Sequence, residues 1–301
     1  MSSSKLVSFN GQQYKLSELA PYALDFAKTV ATAAHLTPES ALVPDTDLTD
    51  TDDKAVYGHI AIVQAMSPEA REIFNSAFAA SHLPDAAAIL KQLSPTTQPR
   101  AVTSAIHILS LLPDPKKHAY FRKFLRNADA SKGLGTVLAD AFVRGLTWGE
   151  AFATRTKASA PGYDAHCGLI IHTLFWCDPL GDDGKASIDA ETRKQLAVAL
   201  KKTLARPEIK ALPMQDKVDV ERLRGLLQPL EGMPGSHYLD STRDYLEGQV
   251  EMCGGNAAGR MCAEDGVSLC SRCKSVKYCG AACQNWDWKH GHKAQCFQTA
   301  Y

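Results

Sequence analysis

The residues able to do chemistry are crowded into one stretch. From Leu269 to Cys296 the chain reads LCSRCKSVKYCGAACQNWDWKHGHKAQC, which holds five cysteines and two histidines. Seven of the nine cysteines lie between Cys253 and Cys296, and the other two are Cys167 and Cys177. Thiols at that density either pair as disulfides in an oxidising compartment or bind metal in a reducing one. The opening residues, MSSSKLVSFNGQQYKL, contain no apolar run of the secretory kind. The longest apolar stretch, Cys167–Cys177, is too short for a bilayer and has a histidine inside it. A cytoplasmic or nuclear protein is therefore expected, with no membrane span and a metal-binding cluster.

The spacing of the cysteines supports metal. Cys270 and Cys273 form the tight knuckle in which two thiolates reach one tetrahedral zinc. Cys279 and Cys283 stand four residues apart, on one face of a helical turn, and His292 and Cys296 repeat that step. His290 falls off that face. Cys253 and Cys262 make a fourth, looser pair. Four pairs give two sites with four protein ligands each, leaving no position for water, so the two zinc ions are expected to be structural. Spacing alone leaves open which pairs combine.

Cys-x2-Cys, then Lys-Tyr-Cys-x3-Cys-Gln, Asp-Trp and His-Lys-x2-Cys resemble the MYND zinc-finger family over residues 253–296. The resemblance includes Tyr278, Gln284, Asp287 and Trp288. It implies interleaved sites: Cys253, Cys262, Cys279 and Cys283 on one zinc, Cys270, Cys273, His292 and Cys296 on the other. The sequence departs from the family at the first pair, where GGNAAGRM separates two cysteines usually two residues apart. Asn256 occupies the usual second position. Cys262 is the expected ligand, because the seven residues from it to Cys270 match the family's next interval. The resemblance also implies a peptide groove lined by Ser271, Gln284 and Trp288, suited to short extended segments of other proteins, including proline-rich ones.

The rest of the chain must position this segment. From about Leu16 to Gln249 nearly every stretch carries helical periodicity. In LSELAPYALDFAKTVATAAHL, for example, Leu16, Leu19, Tyr22, Ala23, Phe26 and Val30 are read as one stripe. No alternating run marks a sheet. Ser67, Asp85 and Asp189 are read as helix caps, residues 44–53 as an acidic linker, and Glu231–Tyr238 as a break. The expected architecture is all-α: an irregular helical bundle or an armadillo/HEAT-like array over 1–249, followed by a small two-zinc finger over 250–301.

No catalytic motif emerges. Asp178, Asp182, Asp183 and Asp189 miss the calcium-loop pattern and read as a solvated turn, with Gly184-Lys185 no phosphate loop. His166, Cys167, His172 and Cys177 share no single face and read as packing residues. Formal net charge is zero, so nucleic acid is not an expected partner. The basic residues Arg260, Arg272, Lys274, Lys277, Lys289 and Lys293 read as a solvated face. The function expected is therefore an interaction protein, without catalysis, in transcriptional or chromatin regulation. The alternatives are a methyltransferase-like enzyme carrying an accessory finger and a nucleic-acid binder.

Overall fold

The computed structural model describes residues 6–9, 11–145, 162–177, 187–227, 235–299 and 301. It is mainly helical. The longer helices of the first half are α1 (Ala20–Ala33), α2 (Asp50–Ala65), α3 (Pro68–Ser81), α4 (Leu83–Leu90), α5 (Pro99–Ser110) and α6 (Ala119–Arg126). A short α7 (Ala128–Ser131) leads to α8 (Leu134–Val143), α9 (Tyr163–Trp176) and α10 (Ala190–Ala205). The short α11 (Pro207–Lys210) precedes α12 (Val218–Leu227) and α13 (Gly235–Val250).

Side chains mark where helices begin. Thr49 and Asp52 form a reciprocal capping box at α2. Ser67 caps α3 ahead of Pro68, and Asp189 accepts the Thr192 amide at 2.9 Å to start α10. Asp85 lies in the first turn of α4 instead of at its cap, because Pro84, which needs no amide partner, starts the helix earlier and leaves His82 as the cap. The acidic stretch 44–53 does more than link. Asp47 accepts the amides of Arg100 at 3.0 Å and Ala101 at 2.9 Å, which pins it to the start of α5. Helix α13 begins at Gly235, inside the expected break; residues 228–234, and likewise Asp178, Asp182 and Asp183, lie outside the described residues.

The packing is that of an irregular bundle. Helix α9 meets α5, α6, α8, α12 and α13, whereas in a HEAT-like array each pair touches only the next. Its sequence explains this: α9 is buried on every side, and a helix without a polar face belongs in a core. His166 and Cys167 are fully buried there, with His166 Nε2 at 2.8 Å from the Leu138 carbonyl. His172 sets its ring edge-on to Phe121. At the other end of the chain, β1 (Leu6–Phe9) and β2 (Gln12–Lys15) pair antiparallel. This hairpin is not expected from alternation; its signal is the Asn10-Gly11 dipeptide. Val7 and Phe9 turn inward, Phe9 against Phe26 at 5.7 Å between ring centroids.

The cysteine-rich segment does not hang free of the bundle. Tyr120, buried at the start of α6, donates its hydroxyl hydrogen bond to the Gln295 carbonyl at 2.7 Å and accepts the Phe297 amide at 2.8 Å. Phe297 itself is buried, which contributes about 2 kcal/mol of docking. The Tyr301 hydroxyl reaches the carbonyls of Ala79 and Tyr120, its ring meets Phe124 edge-on, and Lys123 bonds Thr299. Glu251 bridges Arg126 of the bundle and Lys277 of the cysteine-rich segment.

Replacing Tyr120 by Phe should leave Gln295 O and Phe297 N–H buried without a partner, costing about 1–3 kcal/mol. Urea denaturation should show that loss, with the zinc content unchanged. An unchanged midpoint would show that the hydroxyl carries none of the docking.

Candidate metal centre

Two short strands and a helix set up the cysteines. Strands β3 (Ser268–Leu269) and β4 (Lys277–Tyr278) pair antiparallel, and the turn between them presents Cys270 and Cys273. Helix α15 (Ala281–Asp287) carries Cys283 one turn after Cys279, and α16 (Lys293–Gln295) is flanked by His292 and Cys296.

The side chains converge on two points. The ligand atoms of Cys253, Cys262, Cys279 and Cys283 lie within 4.8 Å of one another, and so do those of Cys270, Cys273, His292 and Cys296. The sites interleave, each taking one pair from either side of the other's. Asn256 takes no part: it is exposed, and its amide points to the Met252 sulphur. His290 stays outside as well, its Nδ1 at 2.6 Å from the Trp286 carbonyl and its ring stacked on Trp286.

The geometry fits zinc. Tetrahedral zinc with ordinary bond lengths sets sulphur atoms about 3.8 Å apart and sulphur from nitrogen about 3.6 Å. The Sγ separations are 3.7 Å for Cys262–Cys279, 3.5 Å for Cys279–Cys283 and 3.7 Å for Cys270–Cys296. His292 Nε2 lies 3.4 Å from Cys270 Sγ and 3.7 Å from Cys273 Sγ. These contacts are far longer than a disulfide bond, and no two of the described cysteines are joined by one. The donor set is soft thiolate with one imidazole, complete at four, so the two zinc ions are structural.

The inserted loop between Cys253 and Cys262 is built, not slack. Gly254–Ala257 form one helical turn, α14. It closes in the pattern of a Schellman cap, with Arg260 N–H bonding Gly255 O and Gly259 N–H bonding Asn256 O, both at 2.9 Å. That cap needs a left-handed residue, and Gly259 supplies it at φ +82°. Gly255 faces the metal site; a Cβ there would lie 2.9 Å from Cys283 Cβ and 3.1 Å from its sulphur. Trp286 Nε1 bonds the Ala258 carbonyl and ties the loop to α15. The extra residues thus fold back and deliver Cys262.

Further bonds orient the ligands. The Cys279 amide donates to Cys253 Sγ at 3.3 Å. Tyr278, fully buried, donates to Asp287 Oδ2 at 2.6 Å and sets its ring edge-on to His292. Trp288 meets the same imidazole edge-on at 6.0 Å. In the metal-free protein the Cys296 thiol, hydrogen-bonded to Cys273, would hold that thiol down at about 3, while the same contact pushes Cys296 up. Zinc therefore displaces protons from the cluster, and acid competes with it.

Of the three groove residues, Ser271 is exposed beside Cys270, while Gln284 and Trp288 are half-buried. Gln284 and Trp288 stand four residues apart along α15 and the turn that continues it, hence on one face. Sequence reasoning did not find Tyr120; in KKHAYFRKFL it looks like any apolar-stripe aromatic.

Comparison with known proteins agrees with this geometry. Residues 252–296 match the family model described as the MYND finger, so the chain carries one there. Over 65 residues it is 42% identical to ubiquitin carboxyl-terminal hydrolase 19 of Arabidopsis thaliana, covering 22% of this chain and 9% of that protein. It is 33% identical over 72 residues to programmed cell death protein 2 of Bos taurus, covering 24% and 19%. Ubiquitin C-terminal hydrolase 15 of Oryza sativa subsp. japonica is 49% identical over 37 residues, covering 12% and 4%. The chain thus spans less than a fifth of each of these relatives, and the likeness is confined to the finger. No solved structure matches the chain significantly.

Purified protein should contain two zinc ions per chain by elemental analysis. Cys262→Ser should bring that to about one, and Asn256→Ala should leave it at two; the reverse pattern would move the ligand to Asn256. Lowering the pH should release zinc to a chromogenic chelator, because the cluster's sulphurs and imidazole must lose protons to bind metal. Release that grew with rising pH would contradict the thiolate assignment.

Proposed function

We propose that this protein works by binding other proteins, with its finger reading short extended segments and its helical bundle fixing where the finger points. The finger is a protein-interaction module. The finer reading rests on one observation above the rest: Trp288 is half-buried with its edge on the ring of a zinc ligand, so part of the indole faces outward from a rigid support. An indole face suits a pre-extended proline segment, and the Gln284 amide one turn away suits its backbone. Ser271, exposed next to Cys270, adds a hydroxyl.

Binding without catalysis is part of this proposal. Two of the relatives are named as ubiquitin hydrolases, but what they share with this chain is the finger, so hydrolysis is not carried over. Closed four-ligand zinc sites offer no activated water. Among the described residues no helix is long and apolar enough to cross a membrane. A role in transcriptional or chromatin regulation, in the cytoplasm or the nucleus, remains part of the same proposal.

Trp288→Ala should abolish capture of proline-rich peptides from an immobilised peptide array while zinc stays at two per chain, since Trp288 is an anchor but no ligand. Gln284→Ala should weaken capture by about 0.5–1.5 kcal/mol, the worth of one neutral hydrogen bond. Undiminished capture by zinc-loaded Trp288→Ala protein would exclude the groove.

A further inference from the structure

The finger and the bundle are in contact at Tyr120 but part company beside it. A cleft of about 600 Å³ opens there, between Glu72 and the Lys116–Arg122 segment on one side and Asn256, Lys277 and His290 on the other. A second hollow of about 350 Å³ shares Ala119, Arg122, Val250 and Lys277 with it and extends along α6. Neither is lined by Ser271, Gln284 or Trp288.

The walls are mostly cationic. Lys116, Lys117, Arg122 and Lys123 line them from the bundle, Lys274 and Lys277 from the finger. Two of the three carboxylates are engaged: Asp287 accepts from Tyr278, and Glu251 pairs with Lys277. Among the described residues Lys117 and Lys274 have no ion pair, and Lys116 lies over the Tyr245 ring, which does not cancel its charge.

Among the described residues two side chains of the cleft, His118 and Glu72, have a polar group without a partner. His118 is 1% exposed and uses Nδ1 to accept the Phe121 amide at 3.2 Å, which caps α6 and fixes the remaining proton on Nε2. Burial holds its pKa down at about 3, so the ring is neutral. Its Nε2–H is closed to solvent and has no acceptor among the described residues. The amides of Ala119 and Tyr120, the first two residues of α6, have no intrahelical acceptor either, and no acidic side chain occupies that turn. The third carboxylate, Glu72, is half-buried and has neither ion pair nor hydrogen bond among the described residues.

We propose that this cleft is a second docking site, taking an extended acidic segment of a partner protein between the start of α6 and the finger. Its carboxylates would sit among Lys116, Lys117 and, where the cleft runs on into the second hollow, Lys274. A peptide rather than a nucleic acid fits, because Glu72 needs a donor. A peptide offers backbone amides as well as acceptors, whereas the phosphodiester linkage offers acceptors alone.

The test is fluorescence anisotropy at low salt with the full zinc-loaded chain and a fluorescein-labelled peptide of alternating Glu and Val. The double reversal Lys116→Glu, Lys117→Glu should weaken binding about tenfold or more, with zinc content and helical circular dichroism unchanged. Lys274→Glu, on the finger side of the adjoining hollow, should weaken it in the same direction, while Trp288→Ala should bind as the unaltered chain does. Equal binding of a Gln-Val peptide, or indifference to all three lysines, would overturn the proposal. So would loss of binding in Trp288→Ala, which would place the acidic peptide in the finger's own groove. A short single-stranded RNA that displaces the peptide, itself weakened by the lysine reversals, would reassign the cleft to nucleic acid.

Discussion

Everything in the last fifty residues depends on closing two tetrahedra. The segment has a few buried side chains of its own, among them Tyr278, Ala294 and Phe297, and its strands are two residues each. That is too little core to order a chain of this length without staples. Eight ligands drawn from interleaved pairs supply the missing constraint. Because each site takes residues from both halves of the segment, neither can close while the other half is loose. The finger is therefore a single unit: β3–β4, α15 and α16 have no separate existence.

That unit then gives the bundle a surface to hold. Tyr120 sits where α6 meets the second zinc site, its hydroxyl exchanging bonds with Gln295 and Phe297 on either side of Cys296. Burial, with the Cys273 sulphur beside it, pushes the phenol above the usual tyrosine range, so it remains a neutral donor. Hydrogen bonds so placed are directional and short, and they fix how the finger is turned. The buried core accordingly runs without interruption from α3 and α6 into Phe297 and Ala294.

The sequence shows its ligands because metal chemistry is local and strict. Two thiols two apart, or four apart on a helical turn, are rarely there for another purpose. Cys262 needed more, since the family's spacing points to Asn256; the interval of seven residues to Cys270 selects it in the sequence, and in the structure the glycines let the loop turn back and approach Cys283 closely. Helices were legible from periodicity, but their arrangement was not, because the choice between bundle and array depends on which faces meet. The hub helix α9 carries a hint in being apolar all round. The docking by Tyr120 left no mark because its partners lie far along the chain, and the cap formed by His118, though its partner Phe121 is only three residues on, left none because histidine is not among the usual capping residues. The β1–β2 hairpin was legible in Asn10-Gly11 and escaped because four alternating residues make a weak pattern.

The two surfaces argued for above adjoin different ligands of the same metal site. Trp288 meets the His292 ring edge-on, and Tyr120 lies beside the Cys273 sulphur. Coupling between distant sites requires an element with two arrangements that both ligands bias. A closed tetrahedron of thiolates and imidazole has one. A partner in the groove and a partner in the cleft would therefore add their affinities through tethering rather than by changing each other's site. On these two proposals the zinc centre is a fixed joint: it would set the distance and angle between the groove and the cleft and transmit nothing between them.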